Sequence, residues 1–572
     1  MKTNYKLIMI AACLFTFSSC YDLNRFPSDN LSSGTFWKTQ SHADQGLMGV
    51  YEILQNNAVF GTYFAFDCVA DIGFSSSSDM YNDIAMGKTN SRTSTYKSKW
   101  KALYEGVARA NTAIQNIPNV DMSDELKNRY LAEAKFLRGL YYFQLLDFFG
   151  GVPLYDETTI IEKDFNNMLK PRNSADEVRK FILDDLEVSL TYLPEAWEEV
   201  NKGRATKGAA IALKGKVLLY NKQYSEAAKC FELVKAKTDL YALYPDYAGL
   251  FKPGGDESKE MVFAIQNSGG VGQDYGMPMA FYMGTRSTYG SGWSQVMVAT
   301  DFLDYYEYKD GKPFNWDNEF PGFNESDEVK KEVLVAELSE NNKKVAKYPR
   351  YKDELVSMYG NRDPRMQATV LLPYTQYKGW TNNAPKDCEF VIVTSGNTTV
   401  ANGMIETDGA YKTYLWRKFV PEYDMDGQLN NREDTPINFP IIRYADVLLM
   451  LAECYNEMGD GDAAVKLINE VRARVNMPGL NSGPTWLEAN TKQEIFERIK
   501  HERAVEFAGE GLRYSDLRRW RCLEDLNGVG KQSLLGNPVY YTHVVTDRDY
   551  LWPIPGDEID KNPSLEQNPG WD

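Results

Sequence analysis

The feature that most constrains the fold is one long helical segment that is apolar on nearly every side. It begins at Asp121 or Ser123, contains the run AEAKFLRGLYYFQLLDFF, and ends at a glycine pair that starts with Gly150. A helix that is apolar all round has to be surrounded by protein rather than by water. The part from Phe136 to Phe149 therefore predicts a central buried helix with other helices packed around it.

Helical periodicity covers most of residues 41–236 and returns near the C-terminus. Residues 205–220 and 224–236 predict a tight helical hairpin, whose second helix carries a tyrosine, an alanine and a phenylalanine at the offsets of a tetratricopeptide repeat. Residues 441–458 and 462–474 predict a second hairpin of the same kind. Helix pairs at both ends of the chain favour one superhelical scaffold, which the chain leaves for an insertion and then rejoins.

The middle of the sequence has a different character. Between Gln266 and Ser294 the only charged residues are Asp274 and Arg286, and glycine, serine, methionine and aromatic residues are frequent. Because aromatic residues argue against disorder, we interpret the middle mainly as ordered loops and short strands laid over the helical scaffold. The predicted organisation is a signal peptide (1–19), an N-terminal helical region (20–250), a loop-rich region that carries the ligand face (251–440) and a C-terminal helical region (441–572).

The charge balance excludes several classes of partner. The sequence has 63 lysine and arginine residues against 80 aspartate and glutamate residues, a formal net charge of −17. Nucleic acid and anionic membrane surfaces would repel such a chain, so neither is a predicted partner. The 37 tyrosines outnumber the 27 phenylalanines, which is typical either of tight helix packing or of a polar binding surface.

No metal or cofactor site is predicted. The sequence has three histidines, no HExxH motif and no Cys-x-x-Cys pair. The segment Asp424-Met425-Asp426-Gly427 resembles the start of a calcium loop, but its glycine comes two positions early. We interpret this segment as a structural turn and leave open a structural calcium ion elsewhere.

The N-terminal sequence MKTNYKLIMIAACLFTFSSC is typical of an exported lipoprotein. Lys2 and Lys6 precede an apolar stretch that is too short to span a bilayer, and small residues then lead to Cys20. We expect Cys20 to be lipidated and to become the mature N-terminus. The alternative is an ordinary secretory signal with an incidental cysteine.

The sequence contains no arrangement typical of catalysis, and we predict that the chain is not an enzyme. It has no Walker A motif, no dinucleotide-binding glycine pattern and no Gly-x-Ser-x-Gly motif. Glu502, Glu506 and Glu510, here called the carboxylate stripe, recur every four residues and line one helix face, where a glycosidase could place a carboxylate pair. We favour a structural interpretation, in which cations neutralise the carboxylate stripe and tie helices together. The predicted cations include Arg498, Arg503 and Arg513.

Several segments together resemble the SusD/RagB family of outer-membrane lipoproteins of Bacteroidota. The resemblance covers nearly the whole chain after the leader, in the order typical of the family, and its most specific part is the C-terminal segment. The segments that carry it are FWKTQSHADQGLMGVYEIL (36–54), EAKFLR (133–138), FFGGVPL (148–154), GRATK (203–207), RDPR (362–365), RYA (443–445), NxVRxR (469–474) and PIP…QNPGW (553–571).

The resemblance implies a mainly α fold, a tetratricopeptide-like right-handed α-superhelix with a loop-rich ligand face. It implies a lipid-anchored outer-membrane protein, exposed at the cell surface, that delivers captured nutrients to a SusC-like TonB-dependent transporter. An oligosaccharide is the nutrient implied first, and RagB-type relatives imply a peptide as the alternative. A surface-displayed glycoside hydrolase is a third hypothesis, which the lack of a distinct carboxylate pair disfavours.

The predicted ligand-binding residues combine aromatic rings, which pack on the C–H faces of sugars, with polar groups that reach the hydroxyls. Residues 275–293 have the best composition for this role, and the family architecture implies that an early loop meets them. Each aromatic residue could instead be packed under its own loop. The candidates are Tyr282, Arg286, Tyr289 and Trp293 in the glycine-rich segment, Asp67, Asp71 and Tyr81 in the early loop, and Trp380 in a third loop.

Overall fold

The computed structural model describes residues 36–159, 168–270, 275–339, 344–393, 404–405, 413–537 and 539–571. The predicted signal peptide and Cys20 lie outside the described residues, so the lipid anchor stays a prediction. Within the described ranges, no helix has the length and apolar character needed to cross a membrane.

Helices make up most of the regular structure. The longer helices are α1 (Gln40–Glu52), α2 (Ser94–Asn116), α3 (Asp124–Phe149), α4 (Ala175–Tyr192), α5 (Lys207–Tyr220), α6 (Tyr224–Lys235), α7 (Asp327–Leu334), α8 (Lys352–Gly360), α9 (Tyr444–Met458), α10 (Gly461–Arg474), α11 (Lys492–Phe507) and α12 (Arg513–Trp520). Short helical segments cover Tyr63–Val69, Asn82–Ala85, Met279–Tyr282, Trp316–Glu319, Pro364–Thr369 and Gly556–Lys561.

The strands are short and form small sheets. They are β1 (Gly73–Ser75), β2 (Met261–Ile265), β3 (Val296–Val298), β4 (Glu337–Leu338), β5 (Val345–Lys347), β6 (Val370–Leu371), β7 (Gln376–Thr381), β8 (Ala384–Phe390), β9 (Met404–Ile405), β10 (Leu415–Trp416), β11 (Phe439–Arg443), β12 (Gly530–Gln532) and β13 (Val539–Thr542). Strands β1 and β3, β2 and β11, β4 and β5, β6 and β10, and β12 and β13 form pairs, and β7, β8 and β9 form a three-stranded sheet.

The longer helices pack against one another as a scaffold. In the first half α2 packs on α3, α3 on α4 and α5 on α6, and in the second half α9 packs on α10. Helix α6 also packs directly against α9, so the two predicted hairpins are neighbours although more than 200 residues separate them. The mainly α, tetratricopeptide-like fold that the sequence predicted is confirmed.

Helix α3 is the central buried helix of this scaffold. The Ser123 hydroxyl accepts a hydrogen bond from the Leu126 N–H at its start, and Gly150, with a φ of 75°, ends it. Nearly every side chain from Phe136 to Phe149 is buried. A helix that is apolar all round reaches this burial only because α2 and α4 both pack on it.

The second hairpin begins later than the sequence predicts. Helix α9 starts at Tyr444, and residues 439–443 instead form β11, all of whose side chains are buried. A short apolar run of this length is compatible with a buried helix or a buried strand. Here it forms a strand, because its backbone pairs with β2 in antiparallel orientation. Since β2 and β11 stand near the two ends of the loop-rich region, their pairing returns the chain to the scaffold close to where it left.

Candidate ligand face

The segment that contains four of the eight predicted ligand residues is a compact loop that folds back on itself. It starts with the short helix Met279–Tyr282, and the Trp293 N–H donates a hydrogen bond to the Phe281 carbonyl oxygen over 2.7 Å. A β-carbon on Gly292 would lie 2.4 Å from two carbonyl oxygens of the same loop. Only glycine permits this close approach, and the approach fixes where the neighbouring Trp293 ring lies.

Trp293 is the most exposed of the predicted aromatic residues. Its side chain is 42% exposed, and its ring centroid lies 4.7 Å from that of Phe281. The guanidinium of Arg286 lies 5.9 Å from the Trp293 ring centroid, and no described residue forms a hydrogen bond or an ion pair with this guanidinium. Trp293 therefore offers an apolar surface beside hydrogen-bond donors that are free for a ligand.

A second arginine, Arg432, holds this loop from the other end of the loop-rich region. Its Nη1 donates hydrogen bonds to the carbonyl oxygens of Gly290 (2.9 Å) and Ser291 (2.7 Å). Its guanidinium also lies 4.4 Å from the Phe281 ring centroid and 5.4 Å from that of Trp293. Arg432 thus fixes the loop backbone and borders the exposed ring.

Tyr289 and Trp380 form a second aromatic platform. Their ring centroids are 5.2 Å apart, and both side chains are half-buried. The Trp380 N–H donates a hydrogen bond to the Ser287 carbonyl oxygen, which attaches strand β7 to the loop. The third predicted loop therefore lies beside the glycine-rich segment, and we refer to Tyr282, Arg286, Tyr289, Trp293 and Trp380 together as the aromatic face.

Tyr282 lies at the edge of the aromatic face and Tyr81 lies behind it. Burial raises the pKa of Tyr282, and the carboxylates of Asp79 and Glu433 raise it further. The Tyr81 side chain is buried and stacks on Phe66 at 4.6 Å, and burial raises its pKa to about 12. Tyr81 packs in the core and offers a ligand no exposed ring.

The early loop reaches the glycine-rich segment, but two of its predicted ligand residues, Asp67 and Asp71, form hydrogen bonds with the scaffold instead. Strand β1 pairs with β3, so Ser75 lies opposite Val296, three residues after Trp293. Asp67 instead accepts a hydrogen bond from the Gly509 N–H over 2.7 Å, and burial raises its pKa to about 8.

Asp71 is likewise occupied by the scaffold. Its carboxylate accepts hydrogen bonds from Arg513 (2.7 and 2.9 Å) and from the Tyr305 hydroxyl (3.0 Å). Burial by itself raises the pKa of Asp71, but Arg513 outweighs burial and lowers it to about 2. The structure therefore corrects the placement of Asp67 and Asp71, because Gly509 binds one carboxylate and Arg513 and Tyr305 bind the other within the scaffold.

Sequence reasoning missed two residues of this region. Arg432 borders Trp293 although 139 positions separate them in the sequence, and only the tertiary fold brings them together. Tyr275, at the start of the segment with the best composition, is 61% exposed and is the more obvious omission. Tyr275 belongs to the segment whose composition favoured a ligand face, but composition does not predict whether a particular side chain is exposed.

The carboxylate stripe is fully engaged in buried ion pairs. Glu506 binds Arg443 (2.7 Å), Arg365 (3.1 Å) and Arg474, and all of these side chains are buried. Cations do neutralise the carboxylate stripe, as predicted, but they are not the predicted residues Arg498, Arg503 and Arg513. In the rest of the stripe, Glu502 pairs with Arg365 and Arg472, and Glu510 pairs with Lys418 and Arg443. The three arginines named in the prediction bind other carboxylates: Arg498 binds Glu307, Arg503 binds Asp446 and Asp516, and Arg513 binds Asp71.

These contacts leave the carboxylate stripe no free carboxylate pair. A glycosidase needs two carboxyl groups that face a sugar, whereas these carboxylates face arginines in the core. Across the residues that the structure covers, no group of three or more His, Cys, Asp or Glu side chains is arranged to hold a metal ion.

Comparison with known families and proteins gives consistent matches. The sequence model of the SusD family matches residues 259–571, more than half of the chain, and a second model, described as "Starch-binding associating with outer membrane", matches residues 25–219. SusD-like protein P25 of Formosa agariphila is 25% identical, and the match covers 98% of each chain. The starch-binding protein SusD of Bacteroides thetaiotaomicron is 26% identical, and the match covers 79% of this chain and 74% of that protein.

Solved structures share the scaffold. A SusD-like carbohydrate binding protein of Bacteroides fragilis superposes with a TM-score of 0.73 at 25% identity, covering 93% of this chain and all of that one. The family model matches more than half of the chain, relatives align over nearly all of it, and the helical scaffold agrees with both. The chain therefore belongs to the SusD family, a family of starch- and glycan-binding proteins associated with the outer membrane.

Proposed function

We propose that this chain is a lipid-anchored protein of the cell surface that binds an oligosaccharide at the aromatic face. It delivers the bound sugar to a SusC-like TonB-dependent transporter and does not alter it chemically. Carbohydrate binding is a property of the family, and the aromatic face offers an exposed aromatic ring beside free hydrogen-bond donors, as a sugar needs.

The observation that carries this proposal is the exposed ring of Trp293 with an unengaged guanidinium beside it. A sugar ring has apolar C–H faces and a rim of hydroxyls, so it packs on an aromatic ring while donors at the ring edge reach its oxygens. Arg286 supplies such donors. The loop that carries both residues is held by Arg432 and Gly292, so little conformational freedom remains to be lost on binding.

Trp293→Ala should weaken binding of the oligosaccharide at least tenfold, about 1.4 kcal/mol, because the variant loses the apolar platform. The melting temperature should stay nearly unchanged, since much of the side chain is already exposed. Titration calorimetry of residues 21–572 with the tightest-binding member of a glycan panel measures the affinity. Tyr289→Ala tests the second platform in the same way.

Trp486→Ala is the matched control, because Trp486 is 37% exposed and lies outside the aromatic face. Its affinity for the same glycan should equal that of the wild type. Wild-type affinity in both Trp293→Ala and Tyr289→Ala would contradict this placement of the site. A panel that also includes peptides tests the ligand class, and binding to peptides in preference to glycans would contradict the oligosaccharide.

Cys20→Ala should release the protein from the outer membrane, because this one change removes the attachment point of every acyl chain. Fractionation of cells that lack the partner transporter measures the membrane-bound share without retention by the transporter. Retention equal to the wild type would contradict the lipid anchor at Cys20.

Co-purification of an outer-membrane barrel with the anchored wild type tests the proposed partner.

A further inference from the structure

A basic cleft of about 540 Å³ lies apart from the aromatic face. It opens where the C-terminal ends of α3, α5 and α12 meet the N-terminal end of α4 and the C-terminal segment of the chain. Its floor is apolar and includes Phe143, Tyr220 and Leu551. None of the residues that line it belongs to the aromatic face.

The cleft is basic in a chain with a large excess of acidic residues. Its lining includes six cations and two carboxylates, whereas the whole sequence has 80 acidic and 63 basic residues. The cations are Arg179, Lys222, Arg518, Arg519, Arg521 and Arg548, and the carboxylates are Asp147 and Asp547. Those cations of a concave surface that have no acidic partner attract anions.

Four of these cations already have acidic partners. Their pairs are Arg179 with Asp176, Arg518 with Asp147, Arg519 with Glu453 and Asp516, and Arg548 with Asp549. The side chains of Lys222 and Arg521 form no hydrogen bond or ion pair with any described residue, although the guanidinium of Arg521 lies 4.1 Å from the Tyr550 ring centroid.

Lys222 and Arg521 also share an unfavourable backbone conformation. Each follows a helix end, and each has a φ of 59°, which glycine adopts more readily than any residue with a side chain. The corresponding turn of the second hairpin uses Gly459, with a φ of 86°. The favourable interaction of a cation with a helix C-terminus accounts for each charge alone, but not for two strained cations that converge on one cleft.

We propose that this cleft binds a ligand that carries a phosphate or sulfate group. Lys222 and Arg521 supply the unpaired positive charges. Guanidinium and ammonium groups form charge-assisted hydrogen bonds with the oxygens of such tetrahedral anions. The apolar floor suits the uncharged part of the ligand, which is either a lipid or a soluble phosphate or sulfate ester.

The substitutions Lys222→Gly and Arg521→Gly test this proposal without straining the fold. Titration calorimetry with inorganic phosphate and inorganic sulfate should show saturable binding to the wild type and at least tenfold weaker binding to the double variant. The melting temperature should stay the same or rise, because glycine relieves both positive-φ positions. If the two cations only cap helices, the double variant instead melts earlier and keeps the wild-type affinity for both anions.

Two further variants sharpen the result. Asn476→Gly also replaces a residue with a φ of 59°, but away from the cleft, so it should leave anion affinity unchanged. Asp547→Asn removes an exposed carboxylate from the cleft and should raise anion affinity. Opposite behaviour of either variant would contradict the assignment of Lys222 and Arg521.

Vesicles distinguish the source of the anionic group. Wild-type protein that binds phosphatidylcholine vesicles only when they contain phosphatidic acid indicates a lipid ligand, and binding of the inorganic anions alone indicates a soluble one. Absence of saturable binding in both experiments would overturn the proposal. Trp293→Ala should retain anion binding, so the outcome is independent of the proposed glycan site.

Discussion

Glu506→Gln should lower the free energy of unfolding by roughly 3–5 kcal/mol, because it removes one partner from a buried ion cluster. The Glu506 carboxylate accepts hydrogen bonds from Arg443 (2.7 Å), Arg365 (3.1 Å) and Arg474 in the core. Glutamine keeps the shape but leaves three guanidinium groups without their common negative charge. Urea denaturation at neutral pH measures the loss.

The same cluster predicts how stability depends on pH. Burial by itself raises the pKa of Glu506, but Arg474, Arg443 and Arg365 outweigh burial and hold the pKa well below its ordinary value of 4.5. A group whose pKa is lowered by folding stabilises the protein above the pKa of the unfolded chain, and this contribution is lost as the pH falls below it. The stability difference between wild type and Glu506→Gln should therefore shrink as the pH falls below 4.5.

Glu497→Gln provides the matched control on the same helix. Glu497 is exposed and pairs with Lys500 over 2.8 Å, so its loss should cost at most about 1 kcal/mol. If both substitutions lower the free energy of unfolding equally, the Glu506 ion cluster does not make the large contribution to stability that is expected. The same conclusion follows if the stability difference between wild type and Glu506→Gln does not change with pH.

Phe143→Ala should also destabilise the protein by roughly 3–5 kcal/mol, through loss of packing rather than of charge. Phe143 lies on the central helix α3 with 4% of its surface exposed, and its ring meets Tyr220 edge-on at a centroid distance of 5.2 Å. Truncation leaves a cavity that the surrounding helices fill only in part. Glycan affinity should not change, since Phe143 lies outside the aromatic face.

Tyr192→Ala is the control for this substitution, because Tyr192 ends the neighbouring helix α4 and is 46% exposed. Its effect on stability should stay within about 0.5 kcal/mol. A small effect of Phe143→Ala on thermal unfolding, together with reduced glycan affinity, would mean that α3 is a binding element rather than the core of the scaffold.

The sequence by itself determined the helices of the scaffold and many of their ends. Ser123 and Gly150 delimit α3 as predicted, and Ser174 caps α4 through a reciprocal pair of hydrogen bonds with Glu177. The apolar character of α3 on all sides predicted its central position. Caps, helix periods and burial faces depend on residues a few positions apart, so they can be read along the chain.

The sequence predicted the ligand-binding residues only as loop segments of suitable composition, and the tertiary structure decided which of their aromatic rings are exposed. Trp293 is exposed while Tyr81 is buried, although both are aromatic residues in loops. Sequence composition does not distinguish a ring on a loop surface from one beneath it, because the difference depends on which other segments cover the loop.

Tertiary structure alone decided the partners of the charged side chains. The carboxylate stripe binds Arg365, Arg443 and Arg474 rather than the cations nearest to it in the sequence, and Asp71 binds Arg513, 442 positions away. Arginine and carboxylate can pair in any combination, and pairing has no sequence period. The packing of the scaffold brings particular groups within hydrogen-bond distance, and burial then makes those contacts strong enough to be the ones that form.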